Sequence, residues 1–280
     1  SRPFRMTGKK PLRPSAFNGL VLAGERGPLD PLTEASGACC KALVPVGGTP
    51  MVLRVLDALA HSEEVGSILL SGPTNTQLAQ NLELKHGITE GRWDWQQPGA
   101  TPSRSAYAAL QSLPEATPVL LTTADHALLH AEIVDHFCAA ARQAGCDLAV
   151  ALADHARVMA TFPDVRRTAL RFRGGSFCGC NLYAFMTPES RRVAEFWGRM
   201  ENDRKRPWRM VRTLGWAPLL AYLTKRRTLE ETLQMLSRNL GLRICPVIMP
   251  FPEAAGDVDK PSDRDLAERV LLTRSQPSSP

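Results

Sequence analysis

The chain has 280 residues, of which 44% are hydrophobic and 22% are charged, a composition that excludes an intrinsically disordered protein and suffices for one sizeable α/β core. Lysine and arginine outnumber aspartate and glutamate by 34 to 28, and the net charge of +6 suits an anionic ligand. Since no apolar run approaches the roughly 20 residues of a membrane-spanning helix, we expect a cytoplasmic protein without a membrane span.

Short β-rich runs alternate with helical patterns from residue 19 onward, which is typical of a mostly parallel sheet with crossover helices. The predicted strands cover residues 19–22, 67–70, 118–123, 148–152, 181–185 and 244–249, and the predicted helices 51–59, 103–113 and 131–143. Before the first helix, Thr49 can act as a cap and Pro50 can occupy the first turn. We predict an α/β fold in which helices sandwich a mixed, mainly parallel sheet, with a strand-free, arginine-rich helical elaboration at about 187–240.

One domain spans residues 18–272 in this interpretation. Residues 1–17 are basic and contain prolines but no apolar stretch, which predicts a loose tail rather than a signal peptide. The serine- and proline-rich segment 273–280 predicts a disordered end. The seven cysteines lack the paired spacing of a zinc site or a disulfide framework, so we expect them to be reduced and mostly buried.

A glycine-containing loop follows the first predicted strand directly, running from Leu22 through Ala23, Gly24 and Glu25 to Arg26. In open α/β sheets, ligands bind at the carboxyl edge of the strands, and the backbone N–H groups of such a loop can approach phosphates closely. The loop is neither a Walker A motif nor a GxGxxG fingerprint. An ordinary strand-to-helix turn is therefore the alternative interpretation.

Acidic residues at two places are candidates for a metal site. Asp125 follows the apolar run 119–121 and two threonines, which predicts its position at the carboxyl edge of a buried strand. Asp257 and Asp259 alternate in an extended segment, so we expect them on opposite faces and only one of them near Asp125. Mg²⁺ prefers carboxylate, phosphate and water oxygens. The alternative for each aspartate is a helix cap.

Four segments, in order, resemble the sugar-phosphate and molybdenum-cofactor type nucleotidyltransferases, which share a glycosyltransferase-A-like fold. They are LAG followed by arginine with KALVPVGGTP at 41–50, PGATPSRSA at 98–106, TTADHALL at 122–129 and GDVDKPSD at 256–263. Together they lie within residues 19–270. The resemblance implies an Mg²⁺-dependent enzyme that moves a nucleoside monophosphate from a nucleoside triphosphate to a small acceptor bearing a phosphate or phosphonate, with release of pyrophosphate.

The resemblance also implies a role for individual residues. The nucleotide would be bound by Leu22, Ala23, Gly24, Glu25, Lys41 and Ser105, the catalytic residues would be Lys41, Arg26 and Asp125, and the metal ligands would be Asp125 with Asp259 or, close behind it, Asp257. Lys41 is the candidate for neutralising the triphosphate, since a flexible ammonium acts as a point charge. The segment around Ser105 is closer to the cytidylyltransferase version, which favours CTP weakly over GTP.

Glycines and basic residues in the second half suggest where the acceptor binds. The glycine-rich segment 174–180 resembles the family's approach to an acceptor-side strand, so Asn181 is predicted to hydrogen-bond the acceptor, with a hairpin or bulge as the alternative. Guanidinium groups bind phosphate strongly, and candidates for an acidic acceptor are Arg166, Arg167, Arg171, Arg173 and the run 204–209. Lys205 and Arg206 are retained from that run, against the alternative of a solvated face.

Two other functions stay open. A glycosyltransferase of the same fold would bind a nucleotide sugar, although the segment around Asp125 lacks an Asp-x-Asp motif. A non-catalytic, nucleotide-binding regulator is open because Glu25 stands where many family members have a glycine, and its charge would repel a triphosphate. His126 and His130 are predicted to be partly exposed helix residues rather than metal ligands. We expect no nucleic-acid partner, and a homodimer is left open.

Overall fold

The computed structural model describes residues 16–25, 31–164, 167–203 and 227–275. The strands are β1 (Phe17–Leu22), β2 (Pro45–Val46), β3 (Thr49–Pro50), β4 (Val65–Ser71), β5 (Asp94–Gln96), β6 (Val119–Thr123), β7 (Leu148–Asp154), β8 (Leu170–Phe172), β9 (Gly175–Phe185) and β10 (Ile244–Met249). The helices are α1 (Pro31–Ser36), α2 (Met51–His61), α3 (Asn75–Leu78), α4 (Leu82–Thr89), α5 (Pro102–Ser112), α6 (Ala131–Ala144), α7 (His155–Thr161), α8 (Val193–Asp203), α9 (Leu229–Leu240) and α10 (Pro261–Ser275). Short 3₁₀ helices cover Lys41–Leu43, Pro188–Arg192 and Pro252–Ala255.

Eight of the described strands form one sheet in the order β10-β7-β9-β6-β1-β4-β5, with β8 paired to β9. Pairing is parallel between β1 and both β4 and β6, between β4 and β5, and between β7 and β10. Strand β9 runs antiparallel to β6, β7 and β8. Leu22 pairs with Ser71 and with Thr123, so β1, β4 and β6 end at the same edge. The predicted mixed, mainly parallel sheet is confirmed.

Helices cover both faces of this sheet. Val21 and Leu70 point into the core shared with α2 and α6, whereas Leu20 and Leu121 point into the core shared with α5 and α8. Successive side chains of a strand alternate between faces, and burial on both faces explains why these strands read as continuous apolar runs. The three-layer arrangement leaves the strand ends as the place for polar groups.

The start of α2 differs from the sequence prediction. Thr49 and Pro50 form β3, which pairs with β2, and Pro50 takes the N-cap position without a side-chain hydrogen bond. The backbone N–H of Met51 instead donates to the carbonyl of Val44 at 3.0 Å. The prediction of a Thr49 cap was therefore wrong, because this residue belongs to a short two-stranded ribbon.

Both predicted domain boundaries fall inside ordered elements. Phe17 is fully buried in β1, so the expected tail 1–17 overlaps the sheet. Helix α10 continues to Ser275, and Arg274 near its end donates to the carbonyl of Leu128 at 3.2 Å. The described parts of the predicted elaboration, 187–203 and 227–240, hold only helices and connecting turns, and its middle lies outside the described residues. Among the residues described, no helix is both long and apolar enough to cross a membrane.

Candidate active site

The loop after β1 lies between the ends of two neighbouring strands. The N–H of Ala23 donates to the carbonyl of Ser71 at 2.8 Å, and the N–H of Ala124 donates to the carbonyl of Leu22 at 2.9 Å. Both bonds continue the parallel ladder past the regular strands. The predicted nucleotide loop and the segment that carries Asp125 are thereby fixed side by side at the carboxyl edge.

Two glycines allow the backbone to pack closely around this loop. Gly72, directly after β4, has a φ of +92°, and a Cβ there would lie 2.7 Å from the carbonyl carbon of Ala23. A Cβ on Gly24 would lie 3.1 Å from Cβ of Pro98 and 3.7 Å from Oγ of Ser105. The segments of Gly24 and Ser105, far apart in sequence, are therefore in contact. Gly72 was not predicted as a site residue. The sequence signal that could have indicated it is a glycine placed directly after an apolar strand.

Ser105 is 1% exposed and its hydroxyl is already used within the protein. The hydroxyl donates to the carbonyl of Thr101 at 3.1 Å and accepts from the N–H of Gly99 at 2.9 Å. Thr101 caps α5 by accepting from the N–H of Arg104. Through these two bonds, Ser105 holds the turn at residues 99–101 in place beside Gly24.

Lys41 lies between two carboxylates that the sequence places far from it. Its Nζ donates to Oδ2 of Asp125 at 2.6 Å and to Oδ1 of Asp259 at 2.5 Å. Oδ1 of Asp125 accepts from the hydroxyl of Thr123 at 2.5 Å, which fixes the orientation of this carboxylate. Three residues chosen as separate candidates, Lys41, Asp125 and Asp259, therefore form one cluster.

The electrostatics of the cluster favour full ionisation of the Lys41–Asp125 pair. Burial opposes the charge on Lys41, but Asp125 and Asp259 outweigh it and raise the pKa of the ammonium above its usual value. Burial likewise opposes the charge on Asp125, yet Lys41 and the Thr123 hydroxyl hold the pKa of this carboxyl below its usual range. Both groups are charged throughout the physiological pH range.

Residues 256–260, which lead into α10, are hydrogen-bonded to the Asp125 loop and to the first turn of α10. The N–H of Val258 donates to the carbonyl of Asp125 at 2.9 Å. Oδ2 of Asp263, which is 2% exposed, accepts from the N–H groups of Asp259 at 3.1 Å and Lys260 at 3.2 Å. Asp263 thus positions the acidic turn by capping it, although the sequence analysis assigned it no role.

Asp257 is held by Arg167, one of the arginines predicted as candidates for an acidic acceptor. Nη1 of Arg167 donates to the backbone carbonyl of Asp257 at 2.7 Å and to its Oδ1 at 2.9 Å. Burial and the nearby charges of Asp125 and Asp259 raise the pKa of Asp257 to about 6, although Arg167 acts in the opposite direction. Asp257 and Asp259 line the same cavity, so the expectation of opposite faces was wrong, because residues 256–260 form no strand.

Asn181 occupies a bulge in β9. The register between β7 and β9 shifts between Val150 and Leu152, and Asn181 has a φ of 48°, in the left-handed region. Its Nδ2 lies 3.5 Å from Oδ2 of Asp257. The bulge that the sequence analysis held as an alternative is present, and it turns the Asn181 amide toward the acidic cluster.

Glu25 is directed to a helix start beside the loop. Its Oε2 accepts from Nε2 of Gln77 at 2.9 Å. Gln77 also belongs to a capping box with Thr74 at the start of α3. The carboxylate therefore has a defined partner within the protein. The candidates Arg26 and Arg166 and the run 204–209, which includes Lys205 and Arg206, lie outside the described residues.

The two histidines near Asp125 differ from the prediction in part. His126 is fully buried rather than partly exposed, and burial lowers the pKa of its imidazole to about 4, so it is neutral. His130 takes the N-cap position of α6, and its Nε2 lies 3.7 Å from Oε1 of Glu253. His126 precedes a sharp turn rather than a helix, which explains why helical periodicity misplaced it.

The acidic cluster fits a magnesium ion that shares its ligands with a substrate. In the described parts of the chain, no three histidine, cysteine, aspartate or glutamate side chains are arranged to hold a metal by themselves. However, Asp125 and Asp259 flank a cation, the ammonium of Lys41, with one oxygen each. Mg²⁺ is commonly bound by one or two carboxylates, with phosphates and waters completing the octahedron. The carboxylates present suit that mode of binding.

A cavity of about 260 Å³ opens beside the cluster, on the side of β9. It is lined by Arg167, Thr168, Cys178, Gly179, Ala255, Asp257, Asp259, Lys260 and Asp263. Strand β6 separates β9 from β1, so the cavity and the loop after β1 lie on different sides of the Asp125 strand. Asp259 both lines this cavity and contacts Lys41.

Comparison with known proteins assigns most of the chain to one sequence family. Residues 19–244 match the MobA-like NTP transferase domain. None of the curated proteins that were compared is similar in sequence to this chain.

Solved structures share the fold. A hypothetical transferase from Thermus thermophilus is 28% identical, with 89% of this chain and 99% of that chain covered and a TM-score of 0.71. A 4-diphosphocytidyl-2C-methyl-D-erythritol synthase from Anaerococcus prevotii is 11% identical, with coverages of 92% and 99% and a TM-score of 0.55. A CMP:2-keto-3-deoxy-manno-octonic acid synthetase complexed with CTP is also 11% identical, with coverages of 93% and 99% and a TM-score of 0.54.

Proposed function

The chain belongs to the MobA-like NTP transferase family, and on this premise we propose that it transfers a nucleoside monophosphate from a nucleoside triphosphate to a small acceptor that bears a phosphate or phosphonate. An oxygen of the acceptor phosphate forms a bond to the α-phosphorus, and the bond from that phosphorus to the bridging oxygen breaks. The electron pair leaves with pyrophosphate. Because a phosphate is already ionised at neutral pH, the reaction needs no general base.

The observation that carries this proposal is the cluster of Lys41, Asp125 and Asp259 at the carboxyl edge of the sheet. Phosphoryl and nucleotidyl transfer depend mainly on positioning and on neutralising negative charge. The cluster offers an ammonium and two carboxylates at the place where open α/β sheets bind their ligands. Lys41 in this proposal contacts the triphosphate, and Arg26 assists it.

Mg²⁺, held by Asp125 and Asp259 with Asp257 nearby, would supply positive charge to the phosphates. The chain's own residues orient the partners. The backbone of Leu22, Ala23 and Gly24 approaches the nucleotide, and Ser105 supports that loop through its bonds to Gly99 and Thr101. Asn181, Lys205 and Arg206 are the proposed contacts of the acceptor.

Glu25 keeps a second candidate, a nucleotide-binding regulator, under consideration. Its hydrogen bond to Gln77 shows one way in which the carboxylate is accommodated beside a nucleotide loop. Repulsion between the Glu25 carboxylate and a triphosphate is the reason for considering a regulator. If Glu25 stays bound to Gln77 when the triphosphate enters, this repulsion is smaller. Turnover with any acceptor excludes the regulator, and release of pyrophosphate rather than a nucleoside diphosphate excludes a glycosyltransferase.

The test begins with the nucleotide. Thermal-shift titrations with CTP, GTP, ATP and UTP, each with Mg²⁺, rank affinity, since a ligand stabilises the folded state by RT ln(1 + [L]/Kd). CTP is tried first, because the segment around Ser105 favours it. Pyrophosphate release from the stabilising nucleotide is then measured with a panel of small phosphates and phosphonates. The absence of stabilisation by all four triphosphates would overturn the proposal.

A further inference from the structure

Arg167 has an unused binding edge. Its side chain is only 9% exposed, and Nη1 is occupied by Asp257. Nε has no hydrogen-bond partner among the described residues, and Nη2 lies 4.0 Å from Asp263, beyond hydrogen-bond distance. The Nε–Nη2 edge of a guanidinium is a planar fork that matches two oxygens of a phosphate or carboxylate. Among the described residues, the carboxylate of Asp263 is an ion-pair neighbour of this fork, and no acceptor lies within hydrogen-bond distance of Nε.

An unmet buried donor carries a desolvation penalty that a ligand oxygen would remove. Arg167 and the exposed Lys260 are the two cations of the 260 Å³ cavity, and Asp257, Asp259 and Asp263 are its three carboxylates. Each carboxylate already has a partner in the protein: Arg167 for Asp257, Lys41 for Asp259, and two backbone N–H groups for Asp263. The volume of the cavity lies below the roughly 300–1,000 Å³ of sites for drug-sized ligands, which restricts the occupant to a small molecule.

We propose that the Nε–Nη2 edge of Arg167, together with Lys260, binds the phosphate group of a small phosphate ester, the acceptor of the transfer. This inference rests on the proposed function and adds the acceptor's subsite to it. The cavity lies on the β9 side of Asp257 and Asp259, away from the loop after β1. A phosphate held there lies next to the acidic cluster, so Arg167 orients the attacking oxygen.

Inorganic phosphate is the probe, because the ester itself is not identified. Its dissociation constant is measured by thermal shift at constant ionic strength for the parent protein, Arg167→Gln and Lys260→Gln. Arg238→Gln is the matched control, because Arg238 is an exposed arginine on α9 that does not line the cavity. We expect the constant to rise at least tenfold in Arg167→Gln and about threefold in Lys260→Gln, and less than twofold in the control.

Unchanged affinity in Arg167→Gln, or an equal loss in Arg238→Gln, overturns the inference. If Arg167→Gln does not fold, Lys260→Gln decides, and parental affinity in that variant also overturns it. Lys41→Ala distinguishes the two ends of the site. If phosphate binds at the triphosphate end instead, Lys41→Ala loses phosphate binding and Arg167→Gln retains it. Nucleoside triphosphates are titrated in parallel. Failure of all triphosphates to bind refutes nucleotidyl transfer, while Arg167-dependent phosphate binding would still establish the anion subsite.

Discussion

Asp257 offers a quantitative test of the acidic cluster, through the substitution Asp257→Asn in metal-free protein. Burial and the charges of Asp125 and Asp259 raise the pKa of this carboxyl from 3.8 to about 6. Below pH 3.8 the group is protonated in both the folded and unfolded states and contributes no penalty. Between pH 3.8 and 6 the unfolded chain releases the proton and the folded chain retains it, so stability falls as the pH rises. Above pH 6 the penalty is constant.

The gap of about 2 pH units corresponds to roughly 3 kcal/mol at 1.36 kcal/mol per unit. The net shift already includes the favourable charge interaction with Arg167, so this interaction is not subtracted again. Asparagine resembles the neutral carboxyl and keeps an amide oxygen to which Arg167 can donate. We therefore expect Asp257→Asn to be more stable than the parent by about 3 kcal/mol at pH 8 and by only about 1 kcal/mol at pH 4.5.

Urea unfolding, followed by tryptophan fluorescence in EDTA between pH 4.5 and 8, measures the difference. Comparing the two proteins at each pH cancels the titration of other groups, and Asp94→Asn, at an exposed position in β5, controls for loss of an aspartate. A difference in unfolding free energy that does not change with pH, or a variant less stable than the parent at pH 8, would refute the assigned electrostatics.

Lys41→Ala should weaken nucleoside triphosphate binding at least tenfold by calorimetry, whereas Lys85→Ala, on the exposed face of α4, should not; equal affinities would count against a triphosphate contact. Asp125→Asn should fold and lose about 10²-fold or more in turnover, with a weaker dependence on Mg²⁺; a variant with parental turnover would exclude the metal role. Gly72→Ala should lower the free energy of unfolding by about 1–3 kcal/mol. Gly91→Ala is the control and should lower it by less, because Gly91 also has a positive φ but no atom lies within 4 Å of the added Cβ. The reverse order in melting temperature would contradict the close packing after β4.

Long periodic segments were predicted well from the sequence. Strands β1, β4, β6 and β10 and helices α2, α5 and α6 lie within a few residues of their predicted bounds, and α6 ends at Gly145 in the left-handed conformation. A helix buried on one face shows a 3.6-residue period, and a strand buried on both faces shows a continuous apolar run; both patterns can be recognised locally. Strands β5 and β8, three residues each, are too short to leave one.

Candidate site residues could be chosen from the sequence only where the residue type and its neighbouring motif together indicate a chemical role. Lys41, Asp125 and Asp259 stood out as a lysine and aspartates next to glycine loops or apolar runs, and they meet in one cluster. Arg167 was one of several arginines, and nothing local distinguishes a buried guanidinium from a solvated one. The burial of His126 was equally hidden, because the backbone groups that face its ring belong to Glu253 and Ala254, more than a hundred residues later.

The position of Lys41 links the affinities of two ligands. While its ammonium remains between Asp125 and Asp259, a divalent ion must compete with an attached cation whose local concentration is fixed by the fold. A triphosphate that draws the lysine away removes this competition, and an ion that displaces the lysine makes it available to the triphosphate. By thermodynamic reciprocity, each ligand must tighten the binding of the other by the same factor. If Lys41 contacts the triphosphate and the carboxylates hold the ion, as proposed, the protein disfavours the bare ion and the bare nucleotide and favours their complex as a unit.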